Sequence, residues 1–156
     1  MEQTGLEQIY IPKARFVYWM VMLNRLKTRD RLKAISVIDD DLCPMCGEAS
    51  ESADHIFFRY PWSCQCLRIL NSWLGTNISS LSSIKPSKWK VSKFEKKTIT
   101  TSLCSLIYQI WNARNDSVWN FKLILPSVLM QSVKLEVKHQ LYSLYPHCVK
   151  DVISLF

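Results

Sequence analysis

A chain of 156 residues that is 48% hydrophobic and 12% aromatic can bury one modest core, and with three glycines it lacks the turn residues of a strand-rich sandwich. Its net charge of +7 comes with no apolar run of the roughly 18 to 20 residues that span a bilayer, which argues against a membrane protein. Glu2 and Glu7 precede the first apolar run, so no secretory leader is expected, and six cysteines in a reducing interior, nuclear or cytoplasmic, read as metal ligands or buried thiols.

An all-α domain is therefore expected. From Pro12, the residues Phe16, Trp19, Met20 and Leu23 recur at helical spacing and read as the core stripe of a first helix. Thr28 suits the N-cap of a short second helix from Arg29 to Ile35. Residues 39 to 51 read as loop, after which Ser52 can cap a short helix carrying His55, with Phe57 and Phe58 turned inward. Pro61 forces a break at Tyr60 and opens a new helix that Gly75 ends in the left-handed region. Residues 76–93, rich in Ser, Lys and Pro86, read as a surface connection. Ile99, Leu103, Leu106, Ile110 and Ala113 then define a long helix from about Phe94 to Trp119, and Met130, Val133, Val137, Leu141 and Leu144 a last one from near Pro126.

Charge is unevenly spread. Lys13, Arg15, Arg25, Lys27, Arg29, Arg31 and Lys33 face one acid, Asp30, within their stretch, whereas Asp39, Asp40, Asp41, Glu48, Glu51 and Asp54 follow with no Lys or Arg among them. Such a basic region can meet a phosphate backbone, or can simply be a solvated surface.

Within the acidic loop lies Cys43-Pro44-Met45-Cys46-Gly47. A CxxC turn holds two thiolates on one side of a tight loop, and a glycine after it lets the backbone turn toward the sulfurs. His55 can supply a third ligand to Zn2+. Tyr60 is a poor fourth, because a phenol ionises near pH 10, which leaves Cys64 as the expected fourth ligand and Cys66 as second choice. Neither a thiol hydrolase built on Cys64 or Cys66 with His55, nor a polymerase built on Asp39-Asp40, has the surrounding residues its chemistry needs. The protein is thus expected not to be an enzyme and to take no small-molecule substrate.

The run Ile11-Pro12-Lys13, Phe16, Trp19, Leu26 to Leu32, Cys43, Cys46, Glu51-Ser52 and His55 to Phe58 resembles the zinc-binding domain that follows the reverse transcriptase of plant non-LTR retrotransposons. Ile110-Trp111-Asn112-Ala113-Arg114-Asn115 is similar to a segment found further along the same polyproteins. The family pattern has a cysteine where this chain has Tyr60. The resemblance implies a non-catalytic module, detached from its polymerase, that binds zinc and helps hold RNA or DNA. Residues 1–75 would form that module, 76–93 the connection and 94–156 a C-terminal helical segment. Arg25, Lys27, Arg29, Arg31 and Lys33 are the expected phosphate contacts. The competing expectations are a structural or protein-interaction domain, or a retroelement remnant with a degenerate metal site.

Overall fold

The computed structural model describes residues 4–118 and 122–156, and only the backbone of residues 4–11, 149 and 151. Among the described residues it is helical and without strands. Helix α1 spans Thr4–Met22, α2 Arg29–Ala34, α3 Pro61–Leu74, α4 Lys93–Ser117, α5 Pro126–Leu144 and α6 Val149–Ile153, with a π-helical turn at His55–Arg59 and a 3-10 turn at Pro86–Lys88. Trp119, the expected end of the long helix, lies outside the described residues.

Local chemistry explains most boundaries. Ser92 and Glu95 form a reciprocal capping box at the start of α4, each side chain accepting from the other's backbone N–H. Pro61 occupies the first turn of α3, and Gly75 closes that helix at φ 64°. Thr28 precedes α2, but its hydroxyl donates to the Asp30 carboxylate and caps no backbone N–H. That task falls to Glu51, whose carboxylate accepts from the Arg29 N–H at 2.9 Å.

Helix α4 is the central element, packed against both α1 and α5, while α3 packs against α5 and the π-helical turn. One core gathers Val17 and Val21 of α1, Ile56 and Phe57 of the turn, Leu70 of α3, Leu103, Leu106 and Ile110 of α4, and Met130, Val133, Val137 and Leu141 of α5.

Two expectations are corrected here. In α1 the buried positions are Ala14, Val17, Tyr18 and Val21, whereas Phe16 is 58% and Trp19 49% exposed, with Leu23 exposed beside them. The helix is apolar on nearly every side from Phe16 to Leu23, so period alone fits two stripes. Facing it, α4 offers the small side chains Thr101 and Cys104 near Ala14, and close approach selects the slimmer face. The connection after α3 is also less superficial than its composition suggests. Ile78 and Ile84 are buried, the Tyr18 hydroxyl donates to the Ile84 carbonyl at 2.6 Å, and Asn71 holds both backbone groups of Ile78.

Candidate metal centre

The acidic loop folds on itself by backbone bonds before any metal is considered. Leu42 and Ser50 form an isolated antiparallel bridge, the Cys43 N–H donates to Ala49 at 2.8 Å, and the Gly47 N–H returns to Cys43 at 2.7 Å. Gly47 sits at φ 69°, where a side chain would be strained. The Asp41 carboxylate accepts from the Ser50 hydroxyl at 2.8 Å and the Lys33 ammonium at 3.0 Å, which keeps it below the ordinary carboxylate range.

His55 enters from the π-helical turn, its N–H donating to the Ser52 hydroxyl at 3.0 Å. Its ring thereby reaches the loop. The ligand atoms of Cys43, Cys46 and His55 all lie within 4.8 Å of one another, and Cys46 Sγ is 3.5 Å from His55 Nε2. Bond lengths of about 2.3 Å to sulfur and 2.0 Å to nitrogen around a tetrahedral ion give donor separations of about 3.5–3.8 Å. Cys46 Sγ and His55 Nε2 stand at such a separation, and two thiols with an imidazole make a donor set that could hold zinc.

Residues 6–66 match the family model described as zinc-binding in reverse transcriptase. All three donors fall inside the matched stretch, and the model it matches is that of a zinc-binding element rather than of the catalytic polymerase domain. Neither a curated protein nor a solved structure matches the chain.

Electrostatics within the matched stretch separates the two thiols. Burial raises Cys43, and the neighbouring Cys46 charge raises it further, against the N–H groups of Cys46 and Met45. Burial opposes ionisation of Cys46 as well, but N–H groups of Ala49 and Glu48 and the Cys43 thiol outweigh it and hold Cys46 below the usual thiol range. The two thiols are thus driven in opposite directions, Cys43 up and Cys46 down.

Cys64, the expected fourth ligand, stands apart from this group. Its thiol donates to the Phe58 carbonyl at 3.1 Å, because the break at Pro61 turns the start of α3 back over the π-helical turn. Cys66 is buried in the core, with burial pushing its thiol up to about 12. Tyr60 is the residue that faces the loop. Its hydroxyl donates to the Met45 carbonyl inside the CxxC turn at 3.4 Å, and its ring centroid is 6.2 Å from that of His55. Burial, and then the charges of Cys43 and Cys46, push its phenol up, so it stands there as a neutral hydroxyl.

Behind the loop is a contact that local sequence does not reveal. Glu51 is fully buried and meets Arg114 of α4 through two parallel bonds, Nε to Oε2 at 2.7 Å and Nη2 to Oε1. Arg114 also lies 5.0 Å over the Trp111 ring and donates to the Asn115 carboxamide at 3.0 Å. The Glu-Ser and IWNARN segments are thus joined across 63 residues of chain.

The five basic residues expected at phosphates divide into two groups. Arg29 pairs with Asp40 at 2.7 Å, Lys33 with Asp41 at 3.0 Å, and Arg31 donates to the Asn24 carbonyl. Arg25 and Lys27 are exposed and take part in none of the ion pairs among the described residues.

Proposed function

We propose that this protein is a non-catalytic, retroelement-derived module in which one zinc ion fastens the acidic loop to the helices behind it, leaving a basic surface to bind RNA or DNA. The convergence of Cys43, Cys46 and His55 inside the matched stretch carries this reading. The ion would serve as a redox-inert cross-link, held by two sulfurs and His55 Nε2. On the nucleic-acid side, Arg25 and Lys27 meet phosphates directly. Arg29 and Lys33 share their charge with the loop, Arg31 is turned to the Asn24 carbonyl, and these three shape the surface instead. The six cysteines are free thiols, which suits a nuclear or cytoplasmic setting.

Metal content of purified protein tests the first half. Wild type and Cys64→Ser should carry one zinc per chain, whereas Cys43→Ser, Cys46→Ser and His55→Ala should lose it. Wild-type protein purified without chelators and free of zinc would overturn the reading. For the second half, affinity should fall steeply with salt, because each neutralised phosphate releases counterions, and Arg25→Ala with Lys27→Ala should reduce the slope by about one to two. Failure to bind RNA or DNA at low salt would remove nucleic acid from the proposal.

A further inference from the structure

Between α1 and α4 runs a groove of 390 Å³, lined by Phe16, Tyr108 and Trp111, by the carboxamides of Asn112 and Asn115, and by Lys13 at its edge. This is an unusual mixture for a surface groove. Flat aromatic rings with convergent amides suit a ligand that is a planar ring carrying donors and acceptors on its rim. Deepening the nucleic-acid reading above, on which it rests, we infer that this groove receives an unpaired base of single-stranded RNA.

Several observations converge on that occupant. Phe16 is 58% exposed, and its ring lies 6.1 Å from that of Trp19, so the aromatic surface continues along α1 beyond the groove. Successive bases of a single strand need such a series of faces. Lys13, Arg15, Arg25 and Lys27 are exposed along the same helix and the turn after it, with no acid between Pro12 and Lys27 and no ion pair to any of the four among the described residues. An aromatic strip flanked by uncompensated cations complements bases flanked by phosphates, and would be a poor seat for an apolar helix. Trp111 is fixed in advance, because Arg114 sits over its ring and is itself clamped by buried Glu51. Of the two amides, Asn115 has its oxygen occupied by Arg114, while Asn112 makes no side-chain hydrogen bond among the described residues and can offer its carboxamide to a ligand. Two amides offer more hydrogen bonds than one base edge consumes, and the surplus can reach a ribose 2′-hydroxyl, which DNA lacks.

The test is fluorescence anisotropy of a labelled 12-nucleotide oligouridine with the full zinc-loaded chain, beside oligothymidine DNA of equal length and an RNA duplex. Phe16→Ala should weaken oligouridine binding about 5- to 100-fold, and so should Trp111→Ala. Phe16 is exposed, so its variant remains interpretable if removing Trp111 disturbs the fold; Asn112→Ala provides a third, equally mild probe. Lys150→Ala, at an exposed lysine on α6, should change affinity less than twofold. Strong binding that all three groove variants leave intact would overturn the groove while sparing the proposed function. Equal affinity for the duplex would overturn stacking, and equal affinity for the DNA would overturn the assignment to RNA. Self-association abolished by Phe16→Ala, without oligouridine binding, would give this face to a second copy of the chain.

Discussion

Tyr60 places a phenol where its hydroxyl meets the Met45 carbonyl, across the mouth of the CxxC turn. A neutral phenol there is a weak donor to a metal, and its pKa is raised by burial first and then by the sulfurs of Cys43 and Cys46. Tyr60→Cys should therefore tighten zinc at least about tenfold in competition with a chromophoric chelator, because a fourth thiolate closes the tetrahedron. Unchanged affinity would show that position 60 is too far from the ion. The pH dependence follows from the thiols. A metal displaces protons, and Cys43, whose pKa is raised, keeps its proton in the metal-free protein to higher pH than an ordinary thiol. Apparent zinc affinity should thus climb from neutral into mildly alkaline solution and fall on acidification. Chelator titrations across that range check it, and a flat profile would contradict it. The CxxC turn, Gly47 and His55 were legible in the sequence, because each acts on neighbours a few residues away. The place of Cys64 was not, since it depends on how far the backbone turns at Pro61.

At the scale of elements, the clasp between Glu51 and Arg114 joins the metal loop, the N-terminus of α2 and helix α4. Breaking a buried pair from one side leaves the other charge without compensation. Arg114→Leu should cost about 3–5 kcal/mol of stability in denaturant unfolding, and Glu51→Leu with Arg114→Leu should recover a large part of it. Additive losses would mean that the two side chains act independently. Periodicity placed the start of α4 near Phe94, and the reciprocal cap of Ser92 and Glu95 sets it at Lys93. In α1 periodicity misdirects, for a helix apolar on most sides carries no local instruction about which side turns inward.

Across the whole molecule, the matched stretch and the later helices share one core, with both α1 and α5 packed on α4. The chain end is drawn into the same body. Trp73 donates to the Leu155 carbonyl at 2.6 Å and packs 5.3 Å from the Phe156 ring, while Lys134 and Lys138 lie over the Trp73 and Phe156 rings. Because most of that core is supplied by α1, α3, α4 and α5, chelation should lower the melting temperature and leave most far-ultraviolet helical signal at 25 °C. Complete loss of helix on chelation would mean that the ion organises the core itself.

Helix starts and stops, the paired thiols and their histidine, and the separation of basic from acidic stretches were set by residue order. Caps, prolines and glycines exert their effect within a turn or two of backbone. The burial of Ala14 and Val17 in place of Phe16 and Trp19, the union of Glu51 with Arg114, and the groove beside Trp111 arise only when distant segments compete for the same space. Their energies reside in contacts between elements, and local spacing carries no record of those.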